Sequence, residues 1–177
     1  MIIYFIRHAK TNNNLEDRWQ GSGGDSTISF VGQKELENLK KTLTFVPDVV
    51  FSSPLKRATE TAHFICENSD VLIDELLIER NFGLLEGIKT DYNIKDQIGD
   101  FDLNTDLNLG IEKIQDMYFK RIKPFLDSIK ANHQGKKIII VSHSWVGRLI
   151  AFYASNEKNK EIIKKSPKHA ILYEFDI

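Results

Sequence analysis

Apolar residues form short continuous runs along the chain, and segments of a different periodicity separate these runs. The runs predict strands at residues 2–6, 48–51, 71–73, 137–141 and 170–175. The first and fourth runs do not alternate with polar residues, and the fourth is β-branched from Ile138 to Val141. Both features are typical of parallel strands that are covered on both faces.

Between the runs, apolar residues recur every three or four positions, as they do along the buried face of a helix. The longest such pattern predicts a helix from about residue 111 to about residue 132, with Gly135 placed to end it. Shorter helical stripes are predicted after Gly32, from about Pro54, and over residues 146–153. Alternating strands and helices predict an α/β fold with a mostly parallel central sheet flanked by helices on both faces. With 177 residues, the chain is long enough for one such domain, which we expect to cover residues 1–177.

Residues 87–110 break this rhythm, because they are polar, rich in Asn and Asp, and only weakly periodic. We expect them to form an insertion over one end of the sheet, with room for a short helix. Long loops of this kind often serve as lids or binding loops. This segment is therefore expected to reach over a site.

Charge and cysteine content narrow the classes of function. The 24 Lys and Arg against 25 Asp and Glu give a formal net charge of -1, whereas nucleic-acid and anionic-membrane binders normally carry a basic excess. A single cysteine, Cys66, excludes an internal disulfide and a cysteine-based zinc site. No apolar run approaches membrane-spanning length, and the apolar start of the chain is too short for a signal segment. We expect a cytoplasmic protein that binds neither nucleic acid nor membranes.

Basic and imidazole side chains follow three of the predicted strands. The first strand runs directly into Arg7 and His8. The second strand leads to Arg57, and the fourth leads to His143. The carboxyl ends of parallel strands meet at the sheet edge where α/β proteins bind ligands, so these four side chains are predicted to converge. Guanidinium groups match phosphate oxygens bidentately, and the sequence therefore predicts an anion site.

The helix expected near Pro54 points to the same anion. Ser53 is a good N-cap and Pro54 a good first helical residue. Lys56 and Arg57 nevertheless fall in the first turn, where cations oppose the helix dipole. A bound phosphate would resolve this conflict, because free backbone N–H groups and Arg57 could share one anion.

Each of these features has an ordinary structural explanation when it is taken alone. An Arg-His pair after a strand is usually a solvated turn, and a histidine there often bonds only to backbone. The coincidence of three such positions makes the anion site the better interpretation. The other histidines, His63, His133 and His169, lie elsewhere in the pattern and are expected to be structural. Cys66 lies on an apolar helical stripe and is expected in the core.

At these positions the chain resembles the histidine phosphatase superfamily, which is also called phosphoglycerate mutase-like. The resemblance rests on residues 7–14, 52–62, 79–87 and 141–148, which occur in the family's order. The chain also departs from the family pattern. Ala9 and Lys10 stand where many members have Gly and Glu, and Ser144 and Trp145 replace a Gly-Gly pair. Ala9 is a modest change if its φ is negative, whereas Lys10 and Trp145 are expected to alter the rim of the pocket.

The resemblance implies that His8 is the nucleophile and forms a phosphohistidine. It implies that Glu79 is the general acid and later the base, with Glu86 as the alternative for that role. An ion pair of Glu79 with Arg80 or another basic residue is the purely structural alternative. The phosphoryl oxygens would be held by Arg7, Asn14, Arg57 and a protonated His143. A neutral imidazole is nucleophilic without a metal, so neither a metal nor a cofactor is expected.

The predicted activity is hydrolysis of a small phosphorylated substrate. A mutase is the nearest alternative, but the phosphoglycerate mutases that the chain resembles are longer. A non-catalytic module that binds phosphorylated ligands is a second alternative, and the intact His8 and Glu79 argue against it. A metallohydrolase using His8 and His143 would need close His and Asp clusters that the sequence lacks.

Overall fold

A five-stranded sheet forms the centre of the protein in the computed structural model, which describes residues 1–67, 69–98 and 108–177. The strands are β1 (Ile2–Arg7), β2 (Val49–Ser52), β3 (Val71–Ile73), β4 (Ile138–Ser142) and β5 (Leu172–Asp176). Their order across the sheet is β3-β2-β4-β1-β5. All five strands were predicted, with ends displaced by no more than two residues.

Four of the strands are parallel. β4 pairs in parallel with β1 and β2, and β2 pairs in parallel with β3, whereas β5 is antiparallel to β1. Every residue of β4 is buried. A strand with parallel neighbours on both sides and helices on both faces has no solvent-exposed side, which explains its uninterrupted apolar sequence.

Helices cover both faces of the sheet, as the α/β prediction requires. The described residues contain α1 (Asn12–Leu15), α2 (Phe30–Thr42), α3 (Lys56–Ile65), α4 (Tyr92–Gln97), α5 (Ile114–Met117), α6 (Lys123–Asn132) and α7 (Ser144–Ala154). Short 3-10 helices span Glu75–Leu77, Gly83–Leu85 and Lys160–Lys164. None of the described helices is long and apolar enough to cross a bilayer.

Alternate residues of β4 belong to two separate cores. Ile138 and Ile140 pack in the cluster that contains side chains of α6 and α7. Ile139 and Val141 pack in the cluster that contains side chains of α2 and α3. The chain thus forms one α/β domain in three layers, with two helical layers around a mostly parallel sheet.

The long predicted helix has a more complex structure than its pattern indicated. A π-helical segment, Tyr118–Ile122, joins α5 to α6, and Ile111 lies before the helix rather than in it. Pro124, in the first turn of α6, has no N–H to donate to the carbonyl group four residues earlier, which accounts for the wider turn there. The helix ends at Asn132, and Gly135, with φ of 74°, lies in the turn that follows it.

Two other helix predictions need correction at their starts. α2 begins at Phe30, with Ser29 as its N-cap, so Gly32 lies inside the helix rather than before it. α3 begins at Lys56, two residues later than predicted. In the insertion at residues 87–110, α4 confirms the short helix, and residues 99–107 lie outside the described residues.

Candidate active site

The ends of β1, β2 and β4 bring the predicted site residues together at the carboxyl edge of the sheet. Arg7 pairs with Ser142 in the register of β1 and β4, and the backbone N–H of His8 donates to the Ser142 carbonyl oxygen at 2.9 Å. The imidazole centroids of His8 and His143 are 5.1 Å apart. The predicted convergence of these loops is therefore confirmed.

His8 is held in a defined tautomer. Its Nδ1 lies 2.8 Å from the carbonyl oxygen of Ala9. Because a carbonyl oxygen can only accept, Nδ1 carries the hydrogen and Nε2 keeps its lone pair. Burial, followed by the charges of His143 and Arg57, lowers the pKa of His8 well below its ordinary value. His8 is therefore a neutral imidazole whose Nε2 is available as a nucleophile.

The loop that carries His8 is tightly held by its neighbours. The backbone N–H of Ala9 donates to Oγ1 of Thr61 at 3.1 Å, and the Lys10 carbonyl oxygen accepts from Oγ of Ser29 at 2.8 Å. A Cβ at Gly32 would collide with that same carbonyl oxygen, so α2 can approach the loop only with glycine there. Ala9 itself does not have a positive φ, which explains why alanine is accommodated in place of the family's glycine.

Arg57 and His143 lie fully buried beside His8. Arg57 donates to the carbonyl oxygens of Gly24 and Gly21 at 2.8 and 2.9 Å, and its Nε has no partner among the described residues. Nε2 of His143 lies 2.7 Å from the Ser53 hydroxyl, and within the described part of the chain its Nδ1 has no partner. The Ser53 oxygen also accepts from the Leu55 backbone at 3.3 Å, and its hydroxyl can either donate to or accept from Nε2. In a protonated His143 both ring nitrogens carry hydrogens, and Nδ1 is then a donor.

The prediction that Ser53 caps α3 was wrong. The N-cap of α3 is Leu55, which makes no side-chain cap, and the Ser53 hydroxyl serves His143 instead. The structure also modifies the prediction of a protonated His143. Burial, and then the charges of Arg57 and Arg7, lower its pKa well below the ordinary value. A protonated His143 therefore requires the negative charge of a bound phosphoryl group.

Arg7 reaches the pocket from the end of β1. Its Nη1 donates to Oγ of Ser166 at 3.1 Å and to the Pro167 carbonyl oxygen at 3.0 Å. Its buried Nε has no partner in the residues that the structure describes. Burial lowers the pKa of Arg7 to about 10, so the guanidinium remains charged at neutral pH. Arg7 Nε and Arg57 Nε are thus two buried donors near His8 without an acceptor among the described residues, and Nδ1 of a protonated His143 is a third. Buried donors normally have acceptors, and a bound anion would provide the acceptor atoms here.

Glu79 is buried and lines the same pocket as His8. Its Oε1 accepts from the backbone N–H groups of Arg80 at 2.9 Å and Trp145 at 3.2 Å. Burial raises the pKa of Glu79, against the lowering effect of these bonds and of Arg7. The Arg80 guanidinium donates to backbone carbonyl groups of other residues, so the Glu79–Arg80 ion pair was not the right alternative.

Glu86 occupies a different environment. Its Oε1 accepts from the backbone of Phe82 at 3.0 Å, and its Oε2 accepts from the backbone of Gly23 at 2.8 Å. Both oxygens of this carboxylate are therefore used to hold two chain segments together. Glu86 is not among the residues that line the pocket with His8, and Glu79 is better placed to exchange a proton there.

Asn14 lies on the pocket wall, but its side-chain oxygen has a local partner. Oδ1 accepts from the backbone N–H and the hydroxyl of Thr11, at 3.1 and 3.0 Å, and so caps α1. The side-chain nitrogen is therefore the atom that Asn14 can offer to a phosphoryl oxygen.

The pocket has a volume of about 250 Å³ and includes residues that the sequence patterns did not reveal. The His169 ring centroid lies 5.2 Å from that of His8, although His169 was expected to be structural only. The guanidinium groups of Arg80 and Arg148 lie 4.8 and 4.5 Å from the ring centroid of Trp145. Thr90 and Ile98, from the insertion, also line the pocket, which agrees with the expectation that this segment reaches a site.

Two buried histidines and the half-buried His169 predict that acidification will destabilise the protein. The pKa values of His8, His143 and His169 are lowered in the folded state, His169 to about 3, chiefly by burial. The unfolded chain therefore binds protons that the folded chain does not as pH falls below about 6.5. For the three groups together, the free energy of unfolding falls by at most about 4 kcal/mol per pH unit. Glu79, whose pKa is raised, has the opposite effect, but it is a single group against three.

We expect the melting temperature to fall clearly between pH 7.5 and pH 5.5, above the range in which most carboxylates titrate. His8→Asn removes one of the three titrating groups and should make the dependence shallower. A melting temperature that stays constant across this range would show that these imidazoles are not held neutral.

A site with a neutral histidine, one fully buried and one half-buried arginine, and a buried carboxyl at the edge of an α/β sheet defines a phosphoryl-transfer enzyme. Among the described residues, no group of three or more His, Cys, Asp or Glu side chains is arranged to hold a metal ion. A sequence model of the histidine phosphatase superfamily (branch 1) matches residues 3–177. The chain belongs to this superfamily, and it is a phosphoric monoester hydrolase.

Individual relatives agree with this assignment. The chain is 30% identical over 158 residues to a metal-independent phosphoserine phosphatase from Arabidopsis thaliana, covering 84% of this chain and 66% of that protein. It is 29% identical over 150 residues to phosphoserine phosphatase 1 from Hydrogenobacter thermophilus, covering 80% of this chain and 70% of the relative. The crystal structure of phosphoserine phosphatase from Entamoeba histolytica in complex with 3-phosphoglyceric acid superposes with a TM-score of 0.82. That structure is 25% identical, and the match covers 99% of this chain and 90% of the other.

Proposed function

We propose that the protein hydrolyses a small phosphate monoester through a phosphohistidine formed on Nε2 of His8. The observation that carries this proposal is the set of three buried nitrogens beside a neutral His8 that have no partner in the described part of the chain: Arg7 Nε, Arg57 Nε and His143 Nδ1. The last of these is a donor once His143 is protonated. A phosphoryl group has three oxygens whose charge must be neutralised during transfer. The three nitrogens therefore match the three phosphoryl oxygens in number, and their positive charge is opposite to the charge of those oxygens.

In the first step, the Nε2 lone pair of His8 attacks phosphorus and the P–O bond to the alcohol breaks. The leaving oxygen takes its proton from Glu79, whose raised pKa favours the protonated carboxyl. In the second step, water attacks phosphorus, Glu79 takes a proton from that water, and the P–N bond breaks. The lone pair returns to His8 and inorganic phosphate leaves.

The size and composition of the pocket indicate a small substrate. A volume of about 250 Å³ holds a phosphoryl group and an alcohol of a few carbon atoms. Trp145, Arg148 and Thr90 are placed to contact that alcohol. Two of the relatives are phosphoserine phosphatases, so O-phosphoserine is a natural first compound to test.

The proposal is tested by a panel of phosphate esters that includes O-phosphoserine and p-nitrophenyl phosphate. Inorganic phosphate and free alcohol should be released in equal amounts from at least one ester. A mutase would yield an isomeric ester with little phosphate, and a binding module would bind esters without turnover. Either result would contradict the proposal.

We also propose a cytoplasmic location, which the single buried cysteine supports because it fits a reducing compartment. The net charge of -1 supports the further prediction that neither nucleic acid nor an anionic membrane is a partner.

Removal of divalent metals should leave the activity unchanged. Arg7 and Arg57 supply the positive charge that a metal ion would otherwise bring to the phosphoryl oxygens. After dialysis against EDTA, the initial rate with p-nitrophenyl phosphate should equal that of undialysed enzyme. Activity that is lost on dialysis and restored by Mg²⁺, Mn²⁺ or Zn²⁺ would refute this expectation.

A further inference from the structure

We propose that residues 166–170, here called the clamp, position residues 7–10, here called the nucleophile loop. His169 is the positioning residue through which the clamp acts on His8. The clamp precedes β5 and lies outside the four segments that carry the family resemblance. This inference deepens the proposed function, because it assumes that His8 is the nucleophile.

The clamp bonds to two consecutive carbonyl groups of the nucleophile loop. The backbone N–H of Ala170 donates to the Arg7 carbonyl oxygen at 3.0 Å. The Nδ1 of His169 lies 2.8 Å from the His8 carbonyl oxygen. That oxygen can only accept, so Nδ1 of His169 carries a hydrogen and donates it. The edge-on ring contact with His8, at 5.2 Å between centroids, adds packing to this bond.

The same segment also holds the side chain of Arg7 and the loop of the second histidine. The hydroxyl of Ser166 and the carbonyl oxygen of Pro167 accept from Nη1 of Arg7. The Ser166 hydroxyl lies 2.7 Å from the hydroxyl of Ser144, the first residue of α7 after His143. The clamp therefore connects the nucleophile, a phosphate-binding arginine and the start of α7.

Backbone strain in the clamp supports a positioning role. Ala170 is buried and has a φ of 47°, a left-handed conformation that non-glycine residues rarely adopt. Such strain persists only where surrounding contacts determine the conformation, and it concentrates at functional sites. Here the strained residue is the one whose N–H bonds to Arg7, and it directly follows His169.

Fixing this backbone matters because the orientation of the His8 ring depends on it. Nδ1 of His8 is bonded to the carbonyl oxygen of the next residue, so the ring moves with the loop. Displacement of a reacting group by about 1 Å can lower a rate about 100-fold. Loss of the His169 hydrogen bond is therefore expected to reduce kcat and to leave KM nearly unchanged.

Three substitutions at His169 separate positioning from direct contact with substrate. Asparagine can place an N–H where Nδ1 stands, glutamine can place a polar group where Nε2 stands, and alanine can do neither. We expect kcat for p-nitrophenyl phosphate to fall about 10- to 100-fold in His169→Ala and in His169→Gln. His169→Asn should recover most of that loss. His63→Ala, which alters an exposed histidine of α3, is the matched control and should behave as wild type.

The pattern of outcomes decides the inference. Recovery by glutamine and not by asparagine would assign the role to Nε2 and overturn the inference. Full activity in all three His169 variants would also overturn it, as would loss of kcat that only follows a lower melting temperature. If wild-type protein releases no phosphate from any ester, the proposed function has failed. If wild-type protein turns over and traps a phosphoenzyme while His169→Ala is unaffected, only the clamp inference has failed.

Discussion

Replacing His8 with alanine or asparagine is expected to abolish turnover, with a loss on the order of 10⁴-fold or more. Neither replacement has a nucleophilic nitrogen at the position of Nε2, so the covalent route is closed. Rapid quench of the wild-type enzyme with a labelled phosphate ester should trap phosphate that is labile in acid and stable in base. Both variants should trap none.

The asparagine variant is the control for folding. His8 is only 3% exposed, so its side chain is packed on all sides. Alanine therefore leaves a cavity and removes the donor to the Ala9 carbonyl oxygen. Asparagine can keep that donor, so its melting temperature should stay near that of wild type at pH 7.5. Normal turnover in either variant would show that the nucleophile is a different residue.

Replacing Glu79 with glutamine is expected to have an effect that depends on the leaving group. An alkyl alkoxide needs a proton in order to leave, so phosphorylation of His8 by alkyl phosphates should slow by about 10²- to 10⁴-fold. A p-nitrophenolate leaves without a proton, so the rate of phosphoryl transfer from p-nitrophenyl phosphate to His8 should change little. Hydrolysis of the phosphoenzyme should slow for both esters, because the same carboxylate activates the water.

The variant should therefore release a burst of nitrophenol, followed by a slow steady state in which phosphohistidine accumulates. Alkyl phosphates should give no burst. Glutamine keeps an oxygen that can accept from the backbone of Arg80 and Trp145, so the change removes the titrating proton and preserves these contacts. Stopped-flow absorbance of nitrophenol and quench-flow trapping of the phosphoenzyme measure the two phases.

Glu86→Gln is the matched control for this experiment. Both oxygens of Glu86 accept from backbone N–H groups, and glutamine retains only one acceptor oxygen. We expect a lower melting temperature without a change in the dependence on the leaving group. If Glu79→Gln slows both kinds of ester equally without a burst, Glu79 is structural. A burst in Glu86→Gln would then transfer the acid role to Glu86.

Local pattern was enough to predict the sheet and the inner part of the site. The continuous β-branched run of β4 indicates a strand buried on both faces, and such a strand needs parallel neighbours and helices. Once the strands are parallel, their carboxyl ends share one edge. The positions of Arg7, His8, Arg57 and His143 directly after three strand ends then bring them together without further information.

The tertiary structure alone decided which partners these residues have. Ser53 has the local signature of an N-cap, but its hydroxyl bonds to His143, 90 positions away in the sequence. The family resemblance favoured Glu79 over Glu86 without a physical reason, and the structure supplies that reason. Glu79 lines the pocket with His8, whereas both oxygens of Glu86 accept from backbone N–H groups.

His169 shows most clearly why sequence could not complete the site. The apolar run of β5 predicts a strand but not its direction. Because β5 is antiparallel to β1, it begins beside the point where β1 ends, and the residues before it reach the nucleophile. Hydrophobic periodicity is a property of neighbouring residues, so it determines where strands and helices form and which faces are buried. Pairing between residues more than 160 positions apart is decided only when the sheet assembles, and that pairing places His169 against His8.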